Sequence, residues 1–169
     1  MIQKKICMLG SFAVGKTSLV ARYIHSVFSE KYLTTIGVKI DRKELVFGDQ
    51  LVNLMLWDIH GEDEFQKVRS SYLRGMSGYF LVVDPTRPET LDVALSLHEL
   101  AIESVGEKPC LMLLNKSDIE DQWSLDMEKI SQLIDAGWYI RKTSAKLGEN
   151  VEESFVELAR RMLDIDAKA

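Results

Sequence analysis

Residues 10–17 read Gly-Ser-Phe-Ala-Val-Gly-Lys-Thr, a match to the pattern G-x-x-x-x-G-K-[ST]. They follow an apolar run at residues 4–9 that predicts a strand. They also lead into an amphipathic stretch that predicts a helix beginning at Lys16. A strand, a glycine-rich turn and a helix are the context in which this pattern forms a phosphate-binding loop. The segment therefore predicts a site for a nucleoside triphosphate.

The chemistry of phosphate binding explains the residue types in this loop. Gly10 and Gly15 allow the backbone to curve around phosphates, so that N–H groups point inward at a helix N-terminus. We expect the Lys16 ammonium to reach the β- and γ-phosphates and the Thr17 hydroxyl to ligate Mg²⁺. The remaining loop positions expected to contact nucleotide are Phe12, Ala13, Val14 and Ser18.

Outside this loop, short apolar runs alternate with stretches of helical period, the pattern of an α/β sheet. We expect about six strands and five helices in three layers, α/β/α. The sheet should be mainly parallel, with one antiparallel hairpin at its edge, because Gly48-Asp49 predicts a turn between two strands. The predicted strands lie at residues 4–9, 38–47, 51–57, 79–83, 110–114 and 139–140.

A second motif selects the base. Asn115-Lys116-Ser117-Asp118 follows an apolar strand, where open α/β sheets bind ligands. The Asp118 carboxylate can accept hydrogen bonds from N1–H and N2–H₂ of guanine, whereas adenine presents an acceptor at N1 and would leave the carboxylate unpaired. Downstream, Ser144-Ala145-Lys146 offers the Ala145 N–H to guanine O6. These motifs favour GTP over ATP.

A third motif, Trp57-Asp58-Ile59-His60-Gly61, closes another apolar strand. We expect Asp58 to hold Mg²⁺ through a water molecule and the Gly61 N–H to bond a γ-phosphate oxygen.

Together these motifs resemble the Ras superfamily of small GTPases and are most similar to Rab proteins. The resemblance spans nearly the whole chain and implies the P-loop GTPase (G domain) fold, with GTP or GDP and Mg²⁺ as ligands. It also implies that Phe28 lies against guanine and that Thr35 binds Mg²⁺ and the γ-phosphate. Two switch segments, from Ser29 to Val38 and from Gly61 to Tyr72, would then bind effector and regulator proteins. Rab-like proteins present a partner surface at positions matching Ile40, Trp57 and Tyr72, which could equally be ordinary packing residues.

Three residues near the expected γ-phosphate, Glu62, His60 and Phe12, depart from the family pattern. Glu62 stands where a water-orienting glutamine is usual, and a carboxylate accepts but does not donate hydrogen bonds. Glu62 either slows intrinsic hydrolysis or turns to solvent while another group positions the water. His60, where alanine is usual, is a candidate for that group, or it is a bulky neighbour without a proton role. Phe12 would crowd the γ-phosphate and obstruct an arginine supplied by an activating partner.

Composition limits the remaining possibilities. A chain of 169 residues, 46% hydrophobic and 28% charged, predicts one globular domain over residues 1–169. The net charge of −5 argues against nucleic-acid binding. Cys7 and Cys110 lie in or beside apolar runs and favour two reduced core residues. No membrane span and no lipid-bearing tail are visible, which predicts a cytoplasmic protein, and we expect a monomer. The missing tail reflects either a trimmed chain or a soluble relative.

Three functions are compatible with these residues. The favoured one is a GTP/GDP switch with weak GTPase activity, in which Lys16, Thr35, Gly61 and Glu62 surround the reacting phosphate. The second is a GTP-binding module with negligible hydrolysis that acts by nucleotide occupancy or with an activating partner. A P-loop kinase or ATPase is disfavoured by Asp118.

Overall fold

The computed structural model describes residues 1–30, 35, 37–63 and 67–168. Its six strands are β1 (Ile2–Gly10), β2 (Val38–Phe47), β3 (Gln50–Ile59), β4 (Gly78–Val83), β5 (Cys110–Leu114) and β6 (Ile140–Lys142). Its α-helices are α1 (Lys16–His25), α2 (Glu89–Val105), α3 (Met127–Asp135) and α4 (Val151–Lys168). Where the sequence predicts about five helices, the described residues form these four and two short 3₁₀ helices, Ser70–Leu73 and Ser117–Gln122.

The strands form one sheet in the order β2-β3-β1-β4-β5-β6. The pair β2 and β3 is antiparallel, and the other described pairs are parallel. Phe47 pairs with Gln50 across a two-residue turn in which Gly48 has φ 62, a conformation that glycine adopts without a steric penalty. The predicted sheet, with its antiparallel hairpin at one edge, is confirmed.

Successive side chains of a strand point to opposite faces of the sheet, and this alternation divides the core between the two faces. On β1, Ile6 and Met8 pack into a cluster with residues of α1 and α4, whereas Cys7 and Leu9 pack into a cluster with residues of α2 and α3. Every residue of β4 is buried, as expected for a parallel strand covered on both faces. The result is the predicted three-layer arrangement.

Both cysteines are free thiols, with Cys7 buried and Cys110 half-buried. Burial raises the pKa of each thiol to about 12, so neither is a reactive thiolate near neutral pH. Within the described part of the chain, none of the helices has the length and apolar character needed to cross a membrane.

The parallel register brings the carboxyl ends of the strands, and the loops that follow them, to one edge of the sheet. Met8 of β1 pairs with Asp58 of β3, and Leu114 of β5 pairs with Lys142 of β6. The loops after β1, β3, β5 and β6 are therefore neighbours, although they are far apart in sequence. This edge is where open α/β sheets bind ligands.

Candidate functional site

The glycines of the phosphate loop are required by close packing as well as by backbone conformation. Gly15 has φ 103 and is the residue preceding α1, and a Cβ atom there would lie 2.3 Å from the Asn115 side-chain nitrogen. A Cβ atom on Gly10 would lie 2.6 Å from the Val82 carbonyl oxygen. Ala13 adopts φ 63, the left-handed conformation, without being glycine. The loop is thus held tightly between β4 and the segment after β5.

The Lys16 side chain is buried beneath the loop. Its ammonium donates hydrogen bonds to the carbonyl oxygens of Ser11, at 3.0 Å, and Gly10, at 3.3 Å. Burial lowers the pKa of Lys16 to about 8, with Asp58 raising it and Arg87 lowering it further. A phosphate brought to this ammonium would favour its charged form, because an opposite charge offsets the loss of hydration.

Two hydroxyls and a carboxylate meet beside Lys16. The Thr17 hydroxyl donates to Asp58 Oδ2 at 2.6 Å and lies 2.7 Å from the Thr35 hydroxyl oxygen. Burial raises the pKa of Asp58, while the Thr17 hydrogen bond and Lys16 lower it. Asp58 Oδ1 is buried and has no hydrogen-bond partner among the described atoms. Such an orphaned oxygen calls for a cation or water.

This donor set fits Mg²⁺, which prefers oxygen ligands and commonly combines one or two carboxylates with substrate phosphates. Among the described residues, His, Cys, Asp and Glu form no group of three or more able to hold a metal by themselves. A cation here would accordingly depend on the Thr17 and Thr35 hydroxyls and on phosphate oxygens in addition to Asp58.

The loop after β5 is joined to the phosphate loop through Asn115. The Asn115 amide donates to the Val14 carbonyl oxygen at 3.0 Å, and its oxygen accepts from the Thr143 hydroxyl at 3.2 Å. Lys116 donates to Asp84 Oδ2 at 2.7 Å and to the Ala13 carbonyl oxygen at 3.4 Å. Both side chains therefore hold the loops in place, whereas Asp118 lines the cavity that these loops surround.

Ser144 orients that carboxylate. The buried Ser144 hydroxyl donates to Asp118 Oδ1 at 2.8 Å and accepts from the Leu147 N–H at 3.0 Å. Thus the loop after β6 fixes one Asp118 oxygen.

These loops surround a cavity of about 340 Å³. Most of the predicted nucleotide-binding residues line it: Phe12, Ala13, Gly15, Lys16, Thr17, Ser18, Phe28, Thr35, Gly61, Asn115, Lys116, Asp118, Ala145 and Lys146. Val14 and Ser144 are buried behind its wall. Ser29, Glu30, Ile59 and Ile119 also line it, and sequence patterns did not single them out for this role.

Gly61 and Glu62 extend the parallel pairing of β3 onto the phosphate loop. The Glu62 N–H donates to the Gly10 carbonyl oxygen and the Phe12 N–H to the Glu62 carbonyl oxygen, each at 3.1 Å. A Cβ atom on Gly61 would lie 2.4 Å from Phe12 Cα. The Glu62 carboxylate accepts from the Val68 N–H at 3.3 Å and so faces the second switch segment.

His60 connects the two expected switch segments. Its Nδ1 lies 3.3 Å from the Gly37 carbonyl oxygen and its Nε2 lies 3.1 Å from the Lys67 carbonyl oxygen. The imidazole is buried and packs edge-on against Tyr72. In this arrangement both ring nitrogens face backbone carbonyls. The intervening switch residues 31–34, 36 and 64–66 lie outside the described residues.

Three further residues that support the site, Asp84, Arg87 and Arg22, were also not predicted from the sequence. Asp84, at the end of β4, binds Lys116 and Arg87, and Arg87 also donates to the Phe12 carbonyl oxygen at 2.6 Å. Asp84 carries the same signal as Asp58, an acidic residue directly after an apolar strand. Arg22, in the middle of α1, binds the loop after β6, and no local pattern points to that contact.

Comparison with known proteins gives one consistent result. A family model described as "Ras family" matches residues 5–164. Mouse Ras-related protein Rab-7b is 32% identical over 96% of this chain and 83% of its own length. Human Ras-related protein Rab-21 is 32% identical over 95% and 72%. Rat Ras-related protein Rab-7L1 is 33% identical over 95% and 82%. With this match, this sheet and these loops, the chain belongs to the Ras family of small GTPases, whose members are GTP-binding switches.

Proposed function

We propose that this protein is a Mg²⁺-dependent GTP/GDP switch that hydrolyses GTP slowly. The observation that carries the proposal is the convergence of four loops on one cavity. Lys16 and Thr17 line one part of that cavity, and Asp58 is hydrogen-bonded to Thr17 there. Asp118 lines another part of the cavity. Mg²⁺, when bound, would supply positive charge to the phosphates as GTP is hydrolysed.

Within this proposal each part of the chain has a separate task. Backbone N–H groups of the phosphate loop and the Lys16 ammonium bind the β- and γ-phosphates, and Gly61 binds the γ-phosphate. Thr17, Thr35 and Asp58 hold the metal. Asp118 and the Ala145 N–H select guanine, and Phe28 lies against the base.

One contact and one side-chain position favour slow hydrolysis. The Glu62 carboxylate accepts from the Val68 N–H, which directs it toward the 67–68 segment. The Phe12 side chain is 38% exposed and lines the cavity, where it would restrict access to the γ-phosphate. The same orientation of Glu62 favours a second candidate function, a GTP-binding module with negligible intrinsic hydrolysis.

Partner proteins would bind the switch segments and the sheet face beside them. Ile40 is 47% exposed and pairs with Trp57 across β2 and β3. The Lys5 ammonium lies 3.4 Å from the centre of the Trp57 ring, and Lys5 also donates to the Tyr72 carbonyl oxygen. These contacts hold Trp57 and the segment around Tyr72 together, so a partner bound at Ile40 would also sense the second switch.

We further propose that residues 1–169 work as one domain and as a monomer in the cytoplasm. The two free thiols fit a reducing compartment.

Single-turnover hydrolysis of GTP with Mg²⁺ tests the proposal. The intrinsic rate of Ras is about 3–5 × 10⁻⁴ s⁻¹. We expect the wild type to be slower, and Glu62→Gln to be faster than the wild type because an amide can donate toward the phosphoryl group. Conversion at or above the Ras rate would contradict slow hydrolysis, and GTP retained unhydrolysed for many hours would favour the binding module.

A further inference from the structure

We propose that Arg22 is a positioning residue for base recognition: it fixes the backbone of the loop at residues 144–146 so that the Ala145 N–H faces guanine O6. The inference rests on the proposed function, because it assigns a further residue to the same nucleotide site. It goes beyond that function by identifying what holds the loop and which part of the base depends on it.

A single guanidinium makes the contacts that carry this inference. Arg22 Nε donates to the Ala145 carbonyl oxygen at 2.7 Å, and Arg22 Nη2 donates to the Lys146 carbonyl oxygen. Arg22 Nη1 lies 3.5 Å from the Ser26 carbonyl oxygen at the end of α1. Arg22 is half-buried, and 123 positions separate it from Ala145. The side chain therefore joins α1 to two consecutive peptide groups of the base loop.

The two adjacent carbonyls held by one planar fork fix the peptide groups 145–146 and 146–147, and so anchor Ala145 from its C-terminal side. Arginine suits this task because its donors are rigidly arranged, whereas lysine offers a single compact ammonium. The Ala145 N–H belongs to the residue whose carbonyl Arg22 binds, and Ala145 itself is buried in the core. If the fork is lost, the loop can rotate and the N–H loses its direction.

The other half of base recognition has a separate support. Asp118 is oriented by the Ser144 hydroxyl, and the Ser144 N–H donates to the Glu149 carbonyl oxygen at 3.0 Å. Recognition of the N1–H and N2–H₂ donors thus depends on Asp118 and Ser144, and recognition of O6 depends on Arg22. The same helix carries Lys16 and Thr17 at its N-terminus, so α1 links the phosphate end of the site to the base end.

Dissociation rates of three nucleoside diphosphates, measured with Mg²⁺ and excess unlabelled GTP, separate these contributions. GDP has every guanine contact. IDP lacks the 2-amino group but keeps O6, and 6-thio-GDP replaces O6 with sulfur, a weak acceptor. For Arg22→Ala we expect GDP and IDP to dissociate about tenfold faster, the effect of losing one hydrogen bond of ordinary strength. The 6-thio-GDP rate should rise much less, because its contact with the Ala145 N–H is already weak.

Arg22→Lys and Arg160→Ala are the matched controls. Arg22→Lys keeps the charge without the fork, and we expect GDP release close to that of Arg22→Ala. Arg160 lies on α4 in an exposed ion pair with Glu157, and its removal should leave all three rates unchanged. Full retention of slow GDP release in Arg22→Lys would overturn the role of the fork, and equal acceleration of all three nucleotides in Arg22→Ala would overturn the assignment to O6.

Asp118→Ala keeps this test distinct from a test of the proposed function. That variant should accelerate GDP release more than IDP release, since the contact to the 2-amino group is lost. Should Asp118→Ala leave GDP release unchanged, the base assignment itself is wrong. Should it behave as expected while Arg22→Ala releases GDP at the wild-type rate, only the inference about Arg22 is wrong.

Discussion

At the scale of single residues, the structure shows what Glu62 and His60, which differ from the residues usual in the family, contact. The sequence left two outcomes open for Glu62, slower hydrolysis or a turn to solvent, and made His60 a candidate for positioning water. In the structure Glu62 accepts from the Val68 N–H, and His60 faces the carbonyl oxygens of Gly37 and Lys67. Both side chains thereby contact the backbone of the switch segments. They are placed to influence how those segments are held.

His60→Ala, which restores the residue usual in the family, should lower the free energy of unfolding by about 1–3 kcal/mol, since it removes a buried imidazole together with the hydrogen bond that its ring N–H donates to a carbonyl oxygen. Urea unfolding at neutral pH measures the change. His25→Ala is the control, because His25 is exposed in the last turn of α1 and should cost less than about 0.5 kcal/mol. Equal losses in the two variants would contradict the bridging role of His60.

At the scale of elements, helix α2 shows how the sequence located a helix but only part of its buried face. In the sequence, Leu91, Leu95, His98, Ile102 and Val105 recur at helical spacing. The fully buried residues are Thr90, Leu91, Ala94, Leu97 and Ala101, whereas Leu95 and Val105 are partly buried and Ile102 is exposed. Alanine gives little hydrophobic signal in a sequence, yet its small side chain permits the close approach of the helix to the sheet.

His98 of α2 also provides a pH-dependent contact with the sheet. The Tyr79 hydroxyl lies 2.7 Å from His98 Nδ1, and the imidazole packs against Trp138. Burial lowers the pKa of His98, while Glu99 and Glu107 raise it. The neutral imidazole is therefore favoured in the folded protein.

We expect acid to weaken this contact. The unfolded histidine has a pKa of about 6.5. Because the folded pKa is lower, the unfolded state binds more protons as the pH falls below that value, and the free energy of unfolding decreases. Urea unfolding at pH 7.5 and pH 5.5 should show a larger decrease for the wild type than for His98→Gln. Parallel decreases in both proteins would show that His98 does not contribute.

At the scale of the whole molecule, the site is an assembly of distant segments. The loops after β1, β3, β5 and β6 each supply part of the cavity. Asn115, Lys116 and Arg22 connect them through contacts that span 101 to 124 positions of the chain. A ligand bound by several such loops stabilises the folded state as a whole.

Nucleotide and Mg²⁺ should therefore raise the melting temperature together. At a GDP concentration about 1,000 times Kd the gain is about 4.1 kcal/mol, or roughly 8–16 °C for a protein of this size. EDTA should remove part of this shift in the wild type and change little in Asp58→Ala, because Asp58 belongs to the proposed metal site. Asp92→Ala is the control, since Asp92 is exposed on α2.

That experiment has a clear contrary result. If EDTA lowers the melting temperature of GDP-bound Asp58→Ala as much as that of the wild type, the metal does not depend on Asp58. An effect of EDTA that is also missing in Asp92→Ala would point to a general loss of stability instead of a metal ligand.

The sequence by itself predicted the phosphate loop, the preference for guanine and the six strands of the sheet. These properties depend on residues adjacent along the chain, where backbone conformation and hydrogen-bonding chemistry are local. Only the tertiary structure decided the contact of Arg22 with Ala145, the junction of Asp84 with Lys116 and Arg87, and the bridge from His60 to Gly37 and Lys67. Most of these contacts join segments distant in sequence, and all depend on how the helices and loops pack on the sheet. Packing is the sum of many weak interactions and leaves no short pattern in the sequence.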